Sequence, residues 1–441
     1  MTKDQIKQAV LDAIEERKAE IIALGEDIFR HPELGYKEYR TAQVYQEALD
    51  QLGVAYQDGI AITGSRAVLH GREGRATIAV MGELDAVVCP EHPFADPGTG
   101  AAHSCGHNAQ MAALYGVAIG LVASGVMAHL DGNVALLAVP AEEPVEIEWR
   151  QQLREQGKIS FLGGKQEFIK LGAVDDVDMT VMFHSSPPRN GKPIRVGGSS
   201  NGFAAKLIKY RGQEAHAGGA PHAGVNALNA ALLGLMGIHA NRETFKDDEH
   251  VRIHPIITKG GDLVNIIPAD VRIETYVRAA TMESIVTASA KTNRALQAGA
   301  LAVGAEVEIM EIPGFLPRVT NDGLDRLLKA NAIALVGEDL VGPGTHGTGS
   351  SDIGDIMHIM PAIHPYFGGF EGQGHTKHYE LTDPEMAMVV PAKALALTVV
   401  DLLVDGAVAA REIKAASKPR MTKEEWLQFW PEFCAGGRAT S

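Results

Sequence analysis

Cysteine is scarce in this chain, with three in 441 residues, Cys89, Cys105 and Cys434, an odd number without paired spacing. That argues against a disulfide framework and leaves any special cysteine as a ligand or nucleophile. Aromatic residues make up only 5% of the chain, so nothing points to a large aromatic-lined cleft. No apolar run approaches the roughly 18 uncharged residues of a membrane helix, and no membrane span is expected. The opening MTKDQIKQAVLDAIEERKAE lacks the apolar core and cleavage site of a secretory signal; it is amphipathic instead, with Ile6, Val10 and Ile14 spaced four apart. The expected location is the cytoplasm. Lys and Arg number 40 against 55 Asp and Glu, a formal charge of −15. Nucleic acid and anionic membrane surfaces both reward clustered basic residues, so neither is expected as a partner.

What is present is enough for two domains, since single cores stop growing near about 250–300 residues. Short apolar runs, ATIAVMGEL at 76–84, GNVALLAVP at 132–140 and VDMTVMFH at 177–184, alternate with helix-like segments. Continuous apolar strands of this kind predict an α/β fold, a mostly parallel sheet flanked by helices. The pattern breaks at VGGSSNG, 196–202, and again at IPGFLPR, 312–318. Between the breaks the sequence reads as strand 203–210, helix 222–240, strand 250–258, strand 269–278, helix 282–303 and strand 305–312. That βαββαβ order is ferredoxin-like. The expected organisation is therefore one domain from 1–196 and 318–441, interrupted by an inserted domain at 197–317. After the insertion come a helix at 321–336, the Gly-rich GPGTHGTGSSDIGD, the apolar IMPAIHPYF and a helix near 384–404. The tail TKEEWLQFWPEF opens on a Thr422 to Glu425 capping-box pattern, and its Trp426, Phe429 and Trp430 are expected to pack on the body or on a partner subunit.

In open parallel sheets the ligand crevice lies beyond the carboxyl ends of the strands. Here the first run ends in Glu83 and Asp85, the second in Glu142 and Glu143, the third in His184, and the run before 364 in His364. Between the first two lies AAHSCGHNAQ, with Cys105 and His107 two apart in the turn feeding a helix, where both side chains are free to converge. Thiolate, imidazole and carboxylate from separate strand ends form a donor set suited to zinc, or with more oxygen to manganese. Of two adjacent glutamates on an extended segment, one can bind metal while the other moves a proton from the attacking water to the leaving amine. A thiol nucleophile is the rival use of Cys105, though it leaves the glutamates and the other histidines unexplained.

At these residues the sequence resembles the aminoacylase and carboxypeptidase type of metallopeptidase, in the amidohydrolase branch of indole-acetyl-amino-acid hydrolases, aminobenzoyl-glutamate hydrolases and related dipeptidases. HPELGYKE (31–38), GELDA (82–86), HSCGHN (103–108), VPAEE (139–143), His184, EAHAGGAPHAGVNAL (214–228), NIIPADVRIETYVR (265–278), GSSDIGD (349–355) and GHTKHYELTD (374–383) stand in the family's order. The resemblance implies a zinc-peptidase-like catalytic domain with a ferredoxin-like dimerisation and lid insertion, acting on a small-molecule substrate. It also implies one or two divalent ions per subunit, Mn2+ or Zn2+, bound by Cys105, His107, Glu143, His184 and a C-terminal histidine, His375 or its substitute His378. Glu142 is then the general base, His216 reaches the partner's site in a homodimer to stabilise the oxyanion, and Asn265, Arg278 and His364 contact substrate.

Two positions depart from the branch. Asn108 replaces an Asp after CGH, as in the dipeptidase and aminobenzoyl-glutamate subgroup, and Gln110 replaces a His. The expected activity is hydrolysis of an N-acyl or N-aroyl amino acid or small dipeptide at its amide-type C–N bond. The alternatives are an aminohydrolase releasing ammonia from an aromatic amine, and a catalytically silent ligand-binding relative, which Glu142 beside a full ligand set disfavours.

Overall fold

All seven residues of the strand Thr77–Glu83 are buried, and in its neighbour Asn133–Val139 only Asn133 keeps partial exposure. Burial without alternation follows from parallel strands covered on both faces. A computed structural model, which describes residues 1–436, places these two strands at the middle of a six-stranded sheet. Its order is Tyr56–Ile60, Gly64–Leu69, Asn133–Val139, Thr77–Glu83, Met179–Val181, Ala362–Ile363. The four strands from Asn133–Val139 onward pair in parallel, and the two at the other edge pair antiparallel.

Helix His107–Ala123 is buried from His107 to Leu121 because the helices Lys3–Glu16, Lys18–Arg30 and Val390–Leu403 all pack on it. The Ile6, Val10 and Ile14 stripe faces inward, as its spacing predicts. The stretch Glu385–Leu403 is long and apolar enough by composition to cross a membrane, yet 83% of its apolar window is buried inside the protein. That is the burial of a core helix.

The runs at 177–184 and around 360–367 each divide between two sheets. Met179–Val181 and Ala362–Ile363 pair in the main sheet, whereas His184–Ser185 and Tyr366–Phe367 pair in a smaller one. His184 and His364 thus fall where neighbouring chains leave the main sheet.

Contact density divides the described residues into two units, Met1–Gly198 with Val319–Thr345 and Asp355–Arg420, and Ser199–Arg318 with His346–Gly354 and 421–436. The second contains Gly202–Arg211, Ala227–Ala240, Arg252–Lys259, Asp270–Ala279, Met282–Val303 and Glu306–Phe315. Its antiparallel strands lie in the order Arg252–Lys259, Asp270–Ala279, Gly202–Arg211, Glu306–Phe315, the ferredoxin-like βαββαβ topology. The helix expected from 222 begins at Ala227, since the Asn226 side chain caps it by accepting from the Leu228 and Asn229 amides at 2.9 and 3.1 Å.

The tail helix Lys423–Gly436 groups with this unit and lies on the strand Glu306–Phe315. Its capping box is formed, with Thr422 N–H donating to Glu425 at 2.7 Å and Glu425 N–H to Thr422 Oγ1 at 3.1 Å. Trp426 and Trp430 are completely buried. Truncating Trp430→Ala is expected to cost about 3–5 kcal/mol, read as a fall in the thermal unfolding midpoint; an unchanged midpoint would show that the tail is no part of the core.

Candidate metal centre

The carboxyl ends of the parallel strands deliver Asp85, Glu142, Glu143, His184 and His364 to one side of the sheet, and the turn before helix His107–Ala123 brings Cys105 and His107 to it. Gly106 between them has φ +82°, and a Cβ there would come within 1.8 Å of Ser185 Oγ. Only glycine fits a left-handed position so closely faced. Ser185 Oγ donates to the Cys105 carbonyl at 3.0 Å and meets the Tyr379 hydroxyl at 2.9 Å, fixing the turn from its other side.

The His107 and His184 imidazoles are both oriented through Nδ1. His107 Nδ1 donates to the Asp85 carbonyl at 2.8 Å, with Asp85 Oδ1 at 3.2 Å, and His184 Nδ1 donates to the Ser185 carbonyl at 2.7 Å. Each Nε2 therefore presents its lone pair, the arrangement of metal-ligating histidines. His184 Nε2 lies 3.3 Å from Cys105 Sγ, and His375 Nε2 lies 3.4 Å from the same sulfur and 2.9 Å from Glu143 Oε1. His107 Nε2 has Glu83 Oε2 at 3.0 Å and Glu142 Oε2 at 3.8 Å, yet finds no partner in hydrogen-bonding geometry. An imidazole lone pair crowded by carboxylate oxygens fits a cation and little else.

Three overlapping trios have donor atoms within 4.8 Å of one another: Cys105, His107 and His184; Cys105, Glu143 and His375; and Glu83, His107 and Glu142. Cys105 is common to the first two. His375 holds a left-handed φ of +61°, with its N–H donating to the Ser104 carbonyl at 2.8 Å. His378 is exposed and belongs to none of these trios among the described residues. His364 lies beside His184, ring centres 5.4 Å apart.

Charge is shared tightly across the centre. Burial and the Glu143 carboxylate push the Cys105 thiol up, but the His184 and His107 imidazoles outweigh them and hold it at about 6. Burial likewise pushes Glu143 up, and the adjoining His375 brings it down to about 2. Hydrogen bonds to Cys105 and Glu143 lift His375 to about 11 against the effect of burial.

The remaining expected residues lie in the second unit. The His216 and Asn265 loops pair, with Ala217 N–H donating to the Asn265 carbonyl at 2.9 Å. His216 Nδ1 accepts from the Gly218 and Gly219 amides at 3.2 and 2.9 Å, so the neutral ring carries its proton on Nε2 as a donor. The Arg278 guanidinium lies over the Phe203 and Tyr276 rings at 5.3 and 5.4 Å and donates to Ser350 Oγ at 3.2 Å.

Sequence reasoning noted Asp85 as a strand-end acid but gave it no role; its Oδ2 accepts from the Glu143 amide at 2.9 Å while Oδ1 faces His107. It passed over the pairing around Glu83, where the buried Lys165 ammonium donates to Oε1 and Gln110 donates to Oε2 at 2.6 Å. Burial opposes ionisation of Glu83, but Lys165 and His107 hold it at about 2. Gln110, one of the two departures, thus belongs to this pairing. Asn108, the other, donates to the Gly25 carbonyl at 3.1 Å, tying its helix to Lys18–Arg30.

Thiolate, imidazole and carboxylate donors converging beyond parallel strand ends, with a second carboxylate in reach, define a metal-dependent hydrolase of amide-type bonds. The chain belongs to Peptidase family M20/M25/M40, whose model matches residues 79–401. It is 30% identical to a Mus musculus Xaa-Arg dipeptidase over 420 residues, covering 90% of this chain and 89% of that one. An N-acetylcysteine deacetylase of Bacillus subtilis is 24% identical over 385 residues, covering 85% and 95% of the two chains. The fold matches the crystal structure of a Bacillus subtilis protein described as a dinuclear metal binding peptidase of this family, with TM-score 0.67 and 22% identity over 88% of this chain and 99% of that one. Because Asp85 orients both His107 and Glu143, Asp85→Asn is expected to weaken divalent-ion binding about 10–100-fold in a calorimetric titration; wild-type affinity would show that the two donors are held by other means.

Proposed function

We propose that the protein hydrolyses a small dipeptide or N-acyl amino acid, the substrate classes for which its relatives are named, and that it does so as a cytoplasmic homodimer. The observation that carries this reading is the position of Cys105 Sγ, common to two donor trios. Cys105, His107 and His184 would hold one divalent ion, and Cys105, Glu143 and His375 would hold a second. Zinc suits the thiolate and imidazoles, and manganese suits the carboxylates. Bound there, a divalent ion would supply a Lewis acid for the scissile carbonyl and a water with its pKa lowered toward about 7.

Glu142 is the proton carrier. It follows the strained Ala141, with φ +56°, and its Oε2 lies 3.8 Å from His107 Nε2, beside the donors rather than among the first two trios. It takes the proton from the attacking water and hands it to the leaving amine. Arg278 holds the substrate carboxylate, with its guanidinium plane set by two aromatic faces. Asn265 and His364 line the remaining contacts.

The second copy attaches through 197–317. Strand Arg252–Lys259 is an edge that exposes Ile256 and Ile257, and helix Ala227–Ala240 exposes Leu232, Leu233 and Met236. An open edge and an apolar helix face in the same unit favour self-pairing about a two-fold axis. His216 of the partner subunit then donates from Nε2 to the oxyanion.

Chelator-treated protein is expected to lose activity and regain it with zinc or manganese; full turnover in protein shown metal-free by elemental analysis would overturn the metal reading. Glu142→Gln should keep metal and substrate while losing about 10²–10⁴ in turnover. Mixing inactive Glu142→Gln and His216→Ala variants, with subunit exchange verified, should restore activity, since one site of each heterodimer carries neither defect. No recovery would place His216 outside the partner's chemistry.

A further inference from the structure

Glu38, the last residue of HPELGYKE, has no part in the chemistry above, yet it is completely buried. It stands at the N-cap of helix Tyr39–Gln51, where an acidic side chain ordinarily accepts from the first free amides, and it makes no such bond. Glu33 does that work instead, accepting from the Arg40 and Thr41 amides at 3.1 and 2.7 Å. The Glu38 carboxylate turns to the crevice loop. Its Oε2 accepts from Thr63 Oγ1 at 2.7 Å, and its Oε1 accepts from the Ala141 amide at 2.8 Å.

Ala141 is a non-glycine residue at φ +56°, a conformation that persists only where the surroundings over-determine it. It immediately precedes Glu142. On the other side of Glu142, the Glu143 amide donates to Asp85 Oδ2 at 2.9 Å. The backbone bearing Glu142 is thereby clamped between two carboxylates, one before it and one after it. Asp85 also orients His107, whereas Glu38 accepts from Thr63 and from the amide before Glu142.

We propose that Glu38 is a positioning residue for Glu142, holding the left-handed turn at Ala141 that aims the base. The proposal rests on Glu142 being the general base. Loss of the tether lets Ala141 relax and moves the Glu142 carboxylate, and displacements of about 1 Å in reacting groups cost on the order of 10²-fold in rate.

The test is a double-mutant cycle on the metal-loaded enzyme. Glu38→Ala is expected to lower kcat about 10–100-fold, with KM changed less than about threefold and metal content unchanged. Glu38→Gln, whose amide oxygen still accepts from Ala141, is expected to recover most of the rate. In the Glu142→Gln background, Glu38→Ala is expected to add little, because the group it positions is already gone. Equal losses in both backgrounds, or metal lost in step with rate, would overturn the proposal. If Glu38→Ala does not fold, Glu38→Met, which fills the space without an acceptor, carries the same expectations; if neither folds, Glu38 is a stabilising residue and the proposal fails. Glu142→Gln measured alone reports on the base itself, and near-normal turnover there removes both readings.

Discussion

The Asp85 carboxylate serves two elements that are far apart in sequence. One oxygen faces the Nδ1 of His107 and the other takes the amide of Glu143, so a single side chain at the end of strand Thr77–Glu83 sets one donor in each of the two trios that share Cys105. The sheet makes this economy available. Strands Thr77–Glu83 and Asn133–Val139 pair in parallel, Glu83 beside Val139, and the residues after each strand therefore emerge at the same height. A shift in that register would part Asp85 from the Glu143 amide and turn the glutamate away from His375.

The centre carries more buried negative charge than its fixed cations balance. Lys165 answers Glu83, while imidazoles face Glu142, Glu143, Asp85 and the Cys105 sulfur. Burial together with the Asp85 charge lifts Glu38 to about 7, which reflects the same surplus one layer further out. Carboxylates kept from water at such proximity are costly unless a cation joins them. The three imidazoles respond in the direction this demands, with His107 and His184 raised by neighbouring Glu83 and Cys105 in spite of burial. A divalent ion relieves the same surplus more completely, and its charge then replaces the protons that those rings would otherwise carry.

In the second unit the chemistry is arranged by different means. No strand-end convergence operates there; instead a paired loop holds the backbone at His216 and Asn265, and aromatic faces orient Arg278. The result is a neutral imidazole with Nε2 as donor and a guanidinium whose plane is set by two rings.

How far the sequence could be read depends on where each group sits. The strand-end rule finds residues that emerge at the crevice from the strands themselves, and it reaches Glu142, Glu143, His184, His364 and, through the adjoining turn, Cys105 and His107. The βαββαβ insertion is equally legible, because each element has the right length and each boundary carries Gly, Pro or a cap. Spacing to Tyr379 favours His375 over its substitute His378 without separating them; what sets His375 apart is its left-handed backbone, a property of tertiary packing. Lys165 gives no signal at all, and Glu38, although it ends the motif HPELGYKE, gives none of a role. Each comes from a helix start on another part of the chain, with the composition of an ordinary solvated turn, and each is buried only because a distant element closes over it. Groups that position the chemistry are selected by what the fold brings beside them. Their roles become visible once Ala141 and Glu83 have been placed.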